Sequence, residues 1–140
     1  ITLPKEKDIL IENDDIYSAI SYAKAAITAS GTASLECAVL DTPEVVCYKL
    51  SYISGFILKQ LNKTPFISIV NLIANRKIVT EFVQSGVKVK NIVSEITPLL
   101  SNTKQRKDML LGFDEVRRSL GLPGVYKRAA ESIMKKTNSG

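Results

Sequence analysis

Histidine is absent from this chain of 140 residues. Its absence removes Ser-His triads, His-based metal sites and an imidazole general base. Cysteine is scarce: Cys37 and Cys47 are too few and too isolated for a disulfide framework or a zinc site. Both read as small core residues in a reducing compartment, ahead of a free-thiol nucleophile. No apolar run reaches the length of a membrane-spanning helix. The first residues, Ile1-Thr2-Leu3-Pro4-Lys5, carry neither an initiator Met nor a signal-peptide pattern, so a fragment of a longer protein is expected. Internal repeats and low-complexity segments are also missing.

What is present suits one globular domain, with 45% hydrophobic and 24% charged residues. The net charge of +5 is unevenly placed. Ile1 to Thr103 holds ten basic and ten acidic residues, whereas Lys104 to Gly140 holds nine basic and four acidic. A basic helical tail suits an anionic partner such as phospholipid, nucleic acid or an acidic protein. No aromatic side chains are interleaved with the basic ones, which makes nucleic acid the weakest of the three. A solvated helix face explains the tail equally well.

The chain is organised around Ile27-Thr28-Ala29-Ser30-Gly31-Thr32-Ala33-Ser34-Leu35-Glu36. Ala25, Ala26 and Ile27 are short and apolar, as in a parallel strand covered on both faces. A tight turn and the first turn of a helix follow. Ser30 suits the cap, Gly31 lets the backbone approach a ligand, and Thr32 adds a hydroxyl. Free N–H groups at a helix N-terminus, beside hydroxyls, make a site for phosphate. Glu36, one turn further in, is placed to accept hydrogen bonds from sugar or ribose hydroxyls. The blander reading of this spacing is an ordinary capped strand-to-helix turn.

Ile9, Leu10 and Ile11 form a short strand candidate. Asn13 reads as the N-cap of a helix to about Lys24, with Asp14 and Asp15 in its first turn. Ile16, Ala19, Ile20 and Ala23 share one face of it. A strand at Ala25 to Ala29 leads into a helix to about Leu40 that buries Leu35, Ala38 and Val39. Asp41-Thr42-Pro43 breaks that helix, and Glu44 to Tyr48 is a second buried strand. This alternation predicts an α/β fold with a parallel sheet and right-handed crossovers. Ligands bind such sheets beyond the carboxyl ends of the strands.

Ser51 to Leu61 is an amphipathic helix candidate whose apolar strip includes Tyr52, Ile53, Phe56 and Ile57. The strip suits core or a partner contact, and after those a membrane surface. Phe66 to Val70 reads as a last strand, ending in the two carboxamides and the guanidinium of Asn71 to Arg76. Ile78 to Gln84 reads as the start of a helix, which puts Glu81 and Gln84 on one face. Such a pair holds vicinal hydroxyls, although a plain surface pair is the blander reading. Lys90 to Leu100 is helical, and Thr103 caps a helix to Leu120 with Met109, Leu110, Phe113, Val116 and Leu120 in a stripe. Gly121 and Pro123 end it, and Val125 to about Lys136 forms a final helix with Ala129, Ala130 and Ile133 inward.

Several of these stretches together resemble one family, the lipid-A-disaccharide synthases, glycosyltransferases of the GT-B fold with two facing Rossmann-like domains. The family motif A-S-G-T-A-x-L-E is matched by Ala29 to Glu36, and its V-V-x-Y-[KR] strand by Val45 to Lys49. Its Y-[IV]-S-L-P-N-[IL]-[IL]-A-G-[RK] segment is matched by Phe66 to Arg76, and its P-E-[FL]-[LI]-Q element by Thr80 to Gln84. The R-x-x-M-L-x-x-F helix and the R-A-A-E-x-[IV] end match from Arg106 and from Arg128. The chain departs from the pattern where Val70 and Thr80 replace Pro and Asn75 replaces Gly. Each departure bears on backbone rigidity around the site.

The resemblance implies a partial Rossmann-like parallel-sheet domain, the C-terminal donor domain of a GT-B enzyme, over residues 1–103, with C-terminal helices over 104–140. It implies inverting transfer of 2,3-diacylglucosamine from UDP to 2,3-diacylglucosamine 1-phosphate, in lipid A biosynthesis. Ser30, Gly31 and Thr32 would cradle the diphosphate, and Glu36 or Glu81 would reach ribose or sugar hydroxyls. Arg76 would help bind the donor, and Asn71, Glu81 and Gln84 would serve the chemistry. No metal or other cofactor is expected, since a helix N-terminus and basic side chains stabilise the leaving diphosphate. The expected setting is the bacterial cytoplasm, peripheral on the inner membrane, with a homodimer as one option. The fragment, lacking its N-terminal domain, is expected to be inactive alone. The alternatives are another transferase using UDP-N-acetylglucosamine and a noncatalytic membrane-surface or partner-binding module.

Overall fold

The computed structural model describes residues 12, 14–29, 31–49, 66–121, 124, 130, 131, 133 and 134. Three strands, β1 (Ala26–Thr28), β2 (Glu44–Tyr48) and β3 (Thr80–Val83), form a parallel sheet in the order β1-β2-β3. Ile27 lies opposite Val45, and Val46 opposite Glu81. The described helices are α1 (Ile16–Tyr22), α2 (Gly31–Val39), α3 (Ile69–Ala74), α4 (Val89–Leu99) and α5 (Lys104–Leu120). This is a partial Rossmann-like α/β domain, as the alternation of apolar runs predicts. Among the described residues no helix is long and apolar enough to cross a membrane.

Local chemistry sets most of the element ends. Asp15 caps α1, its carboxylate accepting from Ser18 N at 3.0 Å, so the helix starts later than an Asn13 cap would place it. Glu12 Oε1 accepts from Asp14 N and Asp15 N just ahead of it. The small residues Ser34, Cys37 and Ala38 are the buried face of α2, while Val39 is 47% exposed rather than inward. Thr103 caps α5 through Arg106 N at 3.2 Å, and Gly121, at φ 80, ends it.

Two assignments exchange places between residues 66 and 84. Phe66 to Val70 is not a strand: Ser68 caps α3, its Oγ accepting from Asn71 N at 3.2 Å. Residues 78–84 do not begin a helix: Thr80–Val83 is β3, and Gln84–Gly86 forms a single 3₁₀ turn. Position in the sheet overrides local preference here, because β3 completes a parallel pair with β2.

The core lies between the sheet, α2, α3 and α5 and includes Val45, Val46, Val70, Val79, Phe113 and Val116. α5 crosses the amino edge of the sheet. Its Met109 Sδ accepts from Glu44 N at 3.3 Å, and its Arg106 reaches Lys24 O. Leu120, at the end of the predicted stripe, is 45% exposed. On β1, Ile27 is 57% exposed although its register partner Val45 is 1% exposed.

The strand candidate at Ile9 to Ile11, Asn13, Ser30, the Ser51 to Leu61 strip, Pro123 and most of the final helix lie outside the described residues. Of that helix, Ala130 and Ile133 are described, and both are exposed rather than inward.

Candidate functional site

The carboxyl edge of the sheet gathers the end of β1, the start of α2 and the start of α3. Thr28 ends β1 and Gly31 opens α2, with Ser30 between them outside the described residues. α2 therefore points its N-terminal N–H groups, and the positive end of its dipole, toward that edge. Thr32 is exposed there, and Glu36 sits half-buried one turn further in. Gly31 has a packing reason. A β-carbon on it would fall 3.1 Å from Ile69 Cδ1 and Cγ1, so α2 and α3 meet closely at this point.

Asn71 and Glu81 form one hydrogen-bonded knot. Asn71 is 1% exposed. Its Oδ1 accepts from Ile78 N at 2.7 Å and from Val79 N at 3.0 Å. Its Nδ2 donates to Val79 O at 2.9 Å and to Glu81 Oε1 at 2.7 Å. Glu81 Oε1 also accepts from Ser68 N, and Glu81 Oε2 from Ile67 N, both at 2.9 Å. The Asn71 amide thus has all its hydrogen-bonding capacity engaged within the fold. A cleft of about 240 Å³ runs beside the knot, lined by Phe66, Ile67, Lys77, Val79 and Val83 together with Asn71 and Glu81.

The other predicted residues are placed differently. Gln84 follows β3 at the carboxyl edge, exposed, with φ 50, and opens the 3₁₀ turn. It therefore shares no helical face with Glu81, which faces α3. Arg76 lies ahead of β3, at the amino end of the sheet, rather than at a strand's carboxyl end. Its Nε and Nη2 donate to Glu115 Oε2 of α5 at 3.1 and 2.6 Å. It lines a larger cleft of about 480 Å³ with Lys77, Thr80, Glu95, Lys104 and Asp108, away from the start of α2. The structure brings Gly31, the cap of α3 and Glu81 together, and Arg76 is not among them.

Sequence reasoning missed two groups. Ser68 is fully buried as the cap of α3, and the signal was a Ser three residues before Asn71. Glu44 is fully buried at the start of β2, its oxygens accepting from Thr28 Oγ1 at 2.6 Å and Ser34 Oγ at 2.5 Å. Burial pushes its carboxyl group up to about 7, against the pull of those two hydroxyls. Burial also pushes the Cys37 thiol up to about 12, with Glu44 and Glu36 adding to the effect, so Cys37 stays a neutral core residue.

A family model described as lipid-A-disaccharide synthetase matches residues 3–135 of the chain. The chain belongs to the lipid-A-disaccharide synthase family. A lipid-A-disaccharide synthase of Acidobacterium capsulatum is 38% identical over 110 residues, covering 79% of this chain and 28% of the relative. One of Synechocystis sp. is 35% identical over 131 residues, covering 92% of this chain and 33% of the relative. One of Syntrophus aciditrophicus is 38% identical over 114 residues, covering 81% and 30%. The chain thus spans about a third of the length of these lipid-A-disaccharide synthases. The match takes in the start of α2, the α3 knot and α5 alike.

Proposed function

We propose that this chain is the donor-nucleotide part of a lipid-A-disaccharide synthase. The complete enzyme moves 2,3-diacylglucosamine from UDP to the 6-hydroxyl of 2,3-diacylglucosamine 1-phosphate, with inversion at the anomeric carbon. The observation that carries this reading is the placement of α2. A nine-residue helix opens at Gly31 and Thr32 on the carboxyl edge of a parallel sheet, in a chain that matches the family almost end to end.

In this reading the α2 N-terminus meets the UDP diphosphate. Its N–H groups and the Thr32 hydroxyl stabilise the charge that grows on the leaving group, with no metal needed for that step. Glu36 reaches ribose or sugar hydroxyls, Gln84 holds the donor, and Asn71 and Glu81 set the backbone around it. The acceptor site and the general base belong to the rest of the enzyme, so the chain alone binds donor without turning it over. The work takes place peripherally on the cytoplasmic face of the inner membrane, where both acylated sugars reside.

The test supplies both acylated substrates to the isolated chain and follows disaccharide formation beside UDP binding. UDP binding without turnover is the expected result. Binding of the chain to liposomes with no affinity for UDP would replace this reading with that of a membrane-surface module.

A further inference from the structure

Glu81 has an unusual set of partners. In an ordinary capping box the residue three positions into the helix turns back to the N–H of the cap. Here that position is Asn71, whose amide instead clamps Ile78 and Val79 ahead of β3. The N–H of the cap, Ser68, is taken by Glu81, a residue of β3, which also takes the N–H of Ile67. Glu81 therefore fixes where α3 begins relative to the sheet.

The next residue carries that placement across to α2. Ile69 is the first residue of α3, and its side chain packs on Gly31 so closely that a β-carbon there would sit 3.1 Å away. Gly31 is the first residue of α2. Moving the start of α3 moves Ile69, whose side chain leaves no room for a β-carbon on Gly31 without giving way itself. Close-packed contacts of this kind transmit displacement.

Resting on the donor-site reading above, we propose that Glu81 is a positioning residue that sets the α2 N-terminus for diphosphate, through Ser68 and Ile69. Its carboxylate bonds the main chain of Ile67 and Ser68 and the Asn71 amide, and it acts on the donor only through them. A residue that merely stabilises the fold would weaken every part of the nucleotide's binding alike. A residue that positions α2 acts on the diphosphate selectively.

The experiment compares the whole chain with Glu81→Gln and Ile69→Ala by amide NMR, without ligand and with UDP or uridine. Glu81→Gln is expected to move the amide resonances of Ile67 and Ser68, which lose a carboxylate acceptor, and also those of Gly31 and Thr32. UDP affinity is expected to fall about tenfold, the scale of one charge-assisted hydrogen bond, with uridine affinity unchanged. Ile69→Ala leaves the Glu81 bonds intact, so it should move Gly31 and Thr32 while Ile67 and Ser68 stay in place. It also provides the answer where Glu81→Gln fails to fold. Gly31 and Thr32 amides that stay still in these variants would overturn the proposal whatever UDP does. Equal losses of UDP and uridine affinity would overturn it too. A wild-type chain that ignores UDP would instead overturn the donor-site reading, while the ligand-free shifts would still decide the coupling.

Discussion

Gly112 of α5 lies directly against Ile78, the residue that Asn71 clamps ahead of β3. A β-carbon on Gly112 would fall 2.7 Å from Ile78 Cγ2 and 2.9 Å from Cγ1. Nothing in the helix conformation of α5 requires glycine there; the crossing does. Gly112→Ala gains up to about 1 kcal/mol of helix propensity and loses about 1–3 kcal/mol to overpacking, so net destabilisation is expected. Urea unfolding of Gly112→Ala, Ile78→Ala and the double variant checks it. In the Ile78→Ala background the added methyl should cost nothing or stabilise.

Asn71 holds the chain reversal between α3 and β3. Asn71→Ala leaves the N–H groups of Ile78 and Val79 without their acceptor in a buried place, at about 1–3 kcal/mol for each group left unpaired. Chemical denaturation should show a loss of several kcal/mol with the slope unchanged. A change within error of zero would mean that the knot is not a structural lock.

Glu44 makes stability depend on pH in an uncommon direction for a carboxylic acid. Its group titrates near 7 in the fold against 4.5 when unfolded. The folded state therefore binds more protons between those values, and stability falls as pH rises from about 4.5 to about 7, then levels. The span corresponds to about 3 kcal/mol. Glu44→Gln, whose amide still accepts from one hydroxyl and donates to the other, should flatten this slope and be the more stable form at pH 8. Melting temperatures of both proteins across the range check the sign.

Ile27 leaves β1 with one paired edge and an apolar outer side chain among the described residues. Edges of this kind recruit other strands. The isolated chain is expected to self-associate, and Ile27→Lys to shift it toward monomer in sedimentation velocity without lowering its melting temperature. Unchanged association would place the contact elsewhere.

How much of this was legible in the sequence depends on how local the determining contacts are. β1, α2 and β2 could be read directly, because short apolar runs, a Pro break and a Gly turn are neighbours in sequence. α4 and α5 could be read as well, from apolar spacing and the Thr103 cap. The stretch from Phe66 to Gln84 could not. Phe66, Ile67, Ile69 and Val70 are strand-like residues, yet a helix opens at Ile69 on the Ser68 cap, and a carboxylate more than ten positions downstream holds the N–H groups of Ile67 and Ser68. Thr80 to Val83 reads as helical until β2 supplies its partner. Glu44 was hidden for the same reason: its two hydroxyl donors come from β1 and α2. At the site, the turn into α2 was visible as a motif. That Glu81 bonds main chain, and that Arg76 pairs with Glu115, required the fold.

The start of α2 is the proposed seat of the diphosphate of a uridine nucleotide. Amide-resolved titration of the chain with UDP tests it most directly. The prediction is saturable shifts centred on Gly31 and Thr32, extending to Glu36 and the Asn71 to Gln84 stretch, and larger for UDP than for uridine. A folded chain whose Gly31 and Thr32 amides do not respond to UDP would contradict it.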